Sequence, residues 1–138
     1  METQEKGLRY NEGKPQWSLV HYQSLVPMIR VLEYGAHKYT IYQDGSGKQF
    51  RGSEVSPEEV KILGLTVFKT GRENWKKPLD LTEILESMQR HLAALLDGES
   101  CDIESTIHHM GHIQCNAMFY NYHKKIQDGN FDIDNLPF

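Results

Sequence analysis

Apolar side chains recur along this chain mostly at intervals of three and four residues, the spacing that gathers them on one face of an α-helix. Met28, Val31, Leu32 and Gly35 follow Pro27, a residue suited to a first helical turn, and predict a helix over about 25–39. Ser56-Pro57-Glu58-Glu59 reads as a capping box with proline at the first helical position. It opens a helix expected over about 57–70, with Val60, Leu63, Val67 and Phe68 on its buried face and Gly71 as its end. Asp80, with Glu83 three residues on, caps a third helix running to about Asp97 on a stripe of Ile84, Leu85, Met88, Leu92, Leu95 and Leu96, and Gly98 stops it. Ile107, Met110, Ile113, Ala117, Met118 and Tyr120 mark a long last helix over about 104–127. Residues 1–16 lack any period and are expected to form an extended arm, whereas 40–55, with three glycines, should be a surface loop or a short hairpin. Asn74 to Pro78 forms a connector, and in the tail, 128–138, Phe131, Leu136 and Phe138 can dock on a neighbour. Strand signals are scarce, so the expected fold is all-α: a four-helix bundle with short connections, in one domain spanning 1–138.

Composition narrows the function classes. A length of 138 residues suits one globular domain. A net charge of −4 and a pI near 5.9 argue against a duplex nucleic-acid binder, which needs a basic face, but leave room for a small anionic substrate held by a few local cations or a metal ion. The longest apolar runs, such as Leu92 to Leu96, fall far short of a membrane span. The first residues are polar and acidic, unlike a secretory signal, so the expected compartment is the cytoplasm. Cys101 and Cys115 read as free thiols.

Candidate chemistry clusters in the second half of the chain. Glu83, Glu86 and Arg90 share one face of the third helix, where carboxylates one turn apart can hold a hard cation such as Mg²⁺; a solvated face with a Glu86–Arg90 ion pair is the plainer alternative. Glu99 and Asp102 repeat the spacing where the chain reverses, and helix capping would also explain them. His109, His112, Asn116 and His123 form a polar stripe on the last helix, suited to metal ligation, general base work or phosphate binding, although a helical histidine is commonly a satisfied core residue. Zinc on His108, His112, Cys115 and Cys101 is conceivable but lacks a C-x-x-C pair, and position 109 is not the glutamate of an H-E-x-x-H motif. Asp44-Gly45-Ser46-Gly47-Lys48-Gln49 does not satisfy the phosphate-loop pattern. Lys6, Arg9, Lys14, Lys38, Asn74 and Trp75 lie in or beside loops and helix ends, where lysines can clamp phosphates and Trp75 or Tyr34 can stack on a base.

One ordered series of motifs is more specific than any of these. Lys6-Gly7-x-Arg9-Tyr10-Asn11-x-Gly13-Lys14-Pro15, Tyr34-Gly35-Ala36-x-Lys38-Tyr39, Asn74-Trp75, Arg90-His91-Leu92, Gly98-Glu99-x-x-Asp102-x-x-Ser105 and His109-x-x-His112 resemble the phage dATP/dGTP diphosphohydrolase family, itself similar to the MazG-like all-α nucleoside triphosphate pyrophosphohydrolases. The resemblance covers about residues 6–122. It implies an all-α fold, a divalent metal site, hydrolysis of a purine deoxynucleoside triphosphate to the monophosphate and pyrophosphate, and a homo-oligomer, dimer or tetramer. Glu83-x-x-Glu86 and Glu99-x-x-Asp102 match by spacing the carboxylates that hold Mg²⁺ in MazG relatives, with Mn²⁺ as a substitute. Thr106 stands where the family has glycine in a Ser-Gly step, and the segment between Tyr39 and Asn74 is longer than the family's norm.

The expected site therefore has Glu83, Glu86, Glu99 and Asp102 as metal ligands and Glu86, Arg90, His109 and His112 as catalytic residues. Lys14, Lys38, Asn74, Trp75, Arg90 and Asn116 are its expected substrate contacts. An HD-type phosphohydrolase would need an adjacent His-Asp pair, which this chain lacks. A helical binding or inhibitor module, with its polar stripes lining an interface, is the alternative from outside the enzymes.

Overall fold

The computed structural model describes residues 4–129, and the tail contacts expected of Phe131, Leu136 and Phe138 lie outside them. Residues 4–16 contain no helix or strand, and every one is exposed. Two 3₁₀ turns, Trp17–Leu19 and Tyr22–Leu25, lead into α1, Val26–Lys38, which has Pro27 in its first turn.

Beyond α1 the all-α expectation needs correction. Residues 41–51 form a hairpin of β1, Ile41–Gln43, and β2, Gln49–Arg51, with Tyr42 opposite Phe50. Asp44 builds its turn: Oδ1 accepts from the Ser46 amide (2.9 Å), the Ser46 hydroxyl (2.6 Å) and the Lys48 amide (3.0 Å). Two of the amides that a phosphate loop would offer are thus already bonded to a carboxylate.

The second correction concerns the helix expected over 57–70. Its start is as expected, since Ser56 and Glu59 form the reciprocal capping box, but α2 covers only Pro57–Ile62. Gly64 follows at a φ of 63°, the left-handed conformation that ends a helix cheaply only for glycine. The chain then extends into β3, Thr66–Lys69, which pairs antiparallel with β1 to complete a sheet of order β2-β1-β3. Val67 and Phe68, expected inside, are 58% and 57% exposed. Among the described residues the fold is thus four α-helices, one of them six residues long, with a small sheet, rather than a purely helical four-helix bundle.

Thr40 fastens the sheet to α1. It is buried, donates to the Ala36 carbonyl (2.6 Å) and accepts from the Gly71 amide (2.9 Å). His37 reaches the same junction: Nε2 donates to the Val55 carbonyl (2.6 Å), so Nδ1 accepts from the Tyr42 hydroxyl (2.8 Å). Gly52 also lies there, and a methyl group on it would strike the His37 carbonyl.

A 3₁₀ turn at Asn74–Lys76 precedes α3, Leu81–Leu96, whose cap Asp80 accepts from the Thr82 amide (2.8 Å). The last helix, α4, is His109–Gln127, so residues expected in its first turns instead form a loop. α4 packs on both α3 and α1. Gly111 allows the α1 contact, because a Cβ there would come within 2.7 Å of the Pro27 backbone. Buried apolar residues include Tyr42, Val55, Ile84 and Cys115, and buried polar ones Thr40, Ser105, His109 and His123. None of the described helices is long and apolar enough to cross a membrane.

Candidate active site

The inward face of α3 passes through Ile84, Ser87 and His91, at spacings of three and four residues. Ile84 is 5% exposed, Ser87 accepts from the Asn116 amide of α4 (3.3 Å), and His91 meets α4 one turn further on. Glu83, Glu86 and Arg90 lie one residue earlier, on the neighbouring face.

The loop between α3 and α4 supplies the acids. The Asp102 amide donates to the Ile107 carbonyl (2.9 Å) and the Thr106 amide to the Asp102 carbonyl (2.8 Å), which closes the segment on itself. Within it Asp102 Oδ2 accepts from the Ser105 amide (2.9 Å) and hydroxyl (3.0 Å). Burial pushes the Asp102 carboxyl up, but the Ser105 bonds and then the His112 and His91 imidazoles pull it down by more, leaving it below the usual carboxylate value.

His112 Nε2 stands 2.7 Å from Ser105 Oγ. Because the serine proton goes to Asp102, Nε2 carries the imidazole proton and donates. Desolvation holds both His112 and His91 below the ordinary histidine value, neighbouring imidazoles add to it, and the Asp102 carboxylate opposes it only in part. Their rings stack, with centroids 4.4 Å apart and planes 5° apart.

His109 is the least satisfied group. It is 4% exposed, its Nδ1 lies 2.8 Å from His91 Nδ1, and its Nε2 is buried with no hydrogen-bond partner. The nearest acid on that side is Glu99, with Oε1 at 3.6 Å, beyond ordinary hydrogen-bond reach. Ligand atoms of His91, Asp102 and His109 all lie within 4.8 Å of one another.

Two clefts meet at this cluster. One of about 400 Å³ is lined by Arg90, His91, Glu99, Asp102, His109 and His112, together with Ser87, Ile103 and Glu104. The other, about 670 Å³, is lined by Tyr34, Lys38, Arg72, Asn74, Trp75 and Phe119 among others. His112 and Glu104 belong to both. Glu104 accepts from Lys38 Nζ (2.7 Å) and the Tyr34 hydroxyl (3.1 Å). Lys38 is held above its usual value by that bond, and Glu104 below. Trp75 is a wall of the larger cleft: its ring stacks on Phe119 at 5.1 Å and meets the edge of Tyr122 at 4.9 Å.

Of the expected residues, the structure brings together Arg90, Glu99, Asp102, His109 and His112 in one cleft and Lys38, Asn74 and Trp75 in the other. Glu83 and Glu86 are exposed on α3 and line neither, and Lys14 is exposed in the arm. Asn116 gives its amide protons to Ser87 and to the His112 carbonyl (2.9 Å), joining α3 to α4. His123 donates to the Trp75 carbonyl (2.7 Å) and is buried, a core histidine. The zinc alternative is not assembled, since His108 caps α4 through its Nδ1 and burial pushes the Cys115 thiol up to about 12.

His91, Ser105 and Glu104 were not among the expected site residues. The signal for His91 was its place seven residues after Ile84, on the same inward face as that apolar stripe residue. No curated protein and no solved structure matches the chain. Residues 4–132 match the family described as dATP/dGTP diphosphohydrolase, N-terminal, and the chain therefore belongs to that family, whose enzymes act on nucleotides.

Proposed function

We propose that the chain hydrolyses a purine deoxynucleoside triphosphate, dATP or dGTP, to the monophosphate and pyrophosphate. The observation that carries this reading is the junction of two chemically different clefts at His112 and Glu104. The larger offers an indole, a phenol and an amide, groups suited to a purine nucleoside; the smaller offers a guanidinium, imidazoles and carboxylates, groups suited to phosphoryl transfer. Family membership supports the substrate class.

In this reading a water attacks the α-phosphorus. A new P–O bond forms, and the bond to the bridging oxygen breaks as pyrophosphate leaves with the electron pair. Glu99, at the mouth of the smaller cleft, takes the water's proton, and Arg90 neutralises charge gathering on the leaving oxygens. His112, anchored through Ser105 to Asp102, keeps a fixed tautomer and walls the junction where the α-phosphate would sit. Lys38, Asn74 and Trp75 hold the nucleoside side.

A divalent ion would supply charge screening and a polarised water. Mg²⁺ on Glu83, Glu86, Glu99 and Asp102 does not fit: the first two stand outside both clefts, and the others share theirs with imidazoles, poor partners for an ion that prefers oxygen. The steps above therefore run through the chain's own groups.

We also propose that the working form is a homo-oligomer. On α3, Leu85, Leu92 and Leu96 are 44%, 47% and 80% exposed at helical spacing, a stripe suited to a second copy.

The test is incubation with each of the four deoxynucleoside triphosphates and a panel of divalent metals, with products resolved by anion exchange. A purine monophosphate plus pyrophosphate is expected. Nucleoside plus triphosphate would move the reading to an HD-like reaction, and no product under any condition would favour the binding module.

A further inference from the structure

His91 from α3, Asp102 from the loop and His109 from α4 converge at one point. Each contributes one ligand atom, and the three atoms lie within 4.8 Å of one another. His109 stands out because its ring is 4% exposed while Nε2 has no hydrogen-bond partner. Protein interiors rarely leave such a nitrogen unmet, because burial strips its water and nothing replaces it. Across the cluster, Nδ1 of His91 and Nδ1 of His109 face each other at 2.8 Å. The pair must hold either one shared proton or a common electrophile.

The surroundings resemble a supporting shell. Ser105 fixes Asp102 through Oδ2 with two hydrogen bonds, and neither engages Oδ1. Glu99 stands 3.6 Å from His109 Nε2, outside this cluster of three. Two imidazoles with one carboxylate suit first-row transition ions, whereas Mg²⁺ and Ca²⁺ seek oxygen alone.

We propose that His91, Asp102 and His109 form a mixed imidazole–carboxylate site for one divalent transition-metal ion of the Mn²⁺, Fe²⁺, Co²⁺ or Zn²⁺ class, which Mg²⁺ does not occupy. The site needs no nucleotide, so it stands or falls separately from the hydrolase reading.

The test is a Co²⁺ titration of the full, untagged chain after chelator treatment, followed by visible d–d absorption with millimolar Mg²⁺ present. Saturation at one Co²⁺ per chain is expected, with loss of the band on adding Zn²⁺. His91→Gln and His109→Gln should each weaken binding by at least about tenfold, whereas Glu86→Gln should leave it unchanged. The buried His109 variant can fail to fold, so the wild-type chain is also followed by imidazole ¹⁵N resonances on adding Zn²⁺. Those of His91 and His109 should shift while those of His37 and His123 stay. Displacement of Co²⁺ by Mg²⁺, binding insensitive to both histidine variants, or loss on Glu86→Gln alone would overturn the site. Co²⁺ binding without turnover would overturn only the hydrolase reading.

Discussion

Thr106 carries a φ of 63°, a region that a β-branched residue enters only at a cost. The closed loop holds it there: its amide donates to the Asp102 carbonyl, and its hydroxyl donates to the Ser105 carbonyl at 2.6 Å. This backbone turn presents the Asp102 carboxylate and the Ser105 hydroxyl to α4, so strain at one residue serves the site. Glycine, which the resemblance puts at this position, would adopt the turn freely. Thr106→Gly is expected to stabilise the chain by about 0.5 to 1 kcal/mol, the relief of the left-handed penalty less the entropy glycine loses on folding. A thermal melt at fixed protein concentration should show a rise of about 2 to 4 °C, and a fall would mean that the hydroxyl bond outweighs the strain. The neighbouring imidazoles govern acid stability. Folding depresses the pKa of His91 and His112, so their contribution is present above the unfolded value of about 6.5 and is lost as pH falls through the folded values. Asp102, also depressed, adds a contribution lost only below the ordinary carboxylate range. Melts in chelator should therefore be level above about pH 7 and decline below about pH 6. His112→Gln should flatten the upper part of that decline.

At the scale of elements, α1 and α3 were legible to within about a residue at each end, because an apolar stripe and a cap or proline coincide at each. The sheet was not. Leu63, Val67 and Phe68 sit at helical spacing, yet Gly64 breaks the turn between them, and a four-residue strand is too short to show its own alternation. The last helix starts at His109 rather than about 104 for a similar reason: Asp102 to Ser105 resemble caps, whereas here they close a loop beside the candidate site. On α3 the periodicity revealed a polar face but not which face turns inward. Glu83, Glu86 and Arg90 share the spacing of Ile84, Ser87 and His91, and a rotation of one residue separates them. Only the contact with α4 decides between the two, which is tertiary information. The distinction is measurable in turnover. Glu99→Gln should lower kcat/KM by at least about 100-fold, as expected for loss of a general base, and should cost at least ten times more than Glu86→Gln. Equal losses would return Glu86 to the site.

At the scale of the molecule, the described residues bury few large apolar side chains for so many helical stripes. Ile84 is inside, but Leu92 and Leu96 are 47% and 80% exposed on α3, and Val26 and Ile29 are 41% and 43% exposed on α1. The arm adds Leu8, and the 3₁₀ turn after it Trp17 and Leu19, each 70% exposed or more. A monomer rarely tolerates that much apolar surface, because each buried methylene is worth about 0.8 kcal/mol and water withholds it. The proposed self-association would cover these exposed apolar side chains. Sedimentation velocity at micromolar concentration should show a species heavier than 16.0 kDa, and the melting temperature should rise with protein concentration. Leu92→Glu with Leu96→Glu should shift sedimentation toward the monomer while far-UV circular dichroism keeps its helical signal. A wild-type chain that sediments only at 16.0 kDa would sink the idea, and the exposed stripe on α3 would then need a different partner.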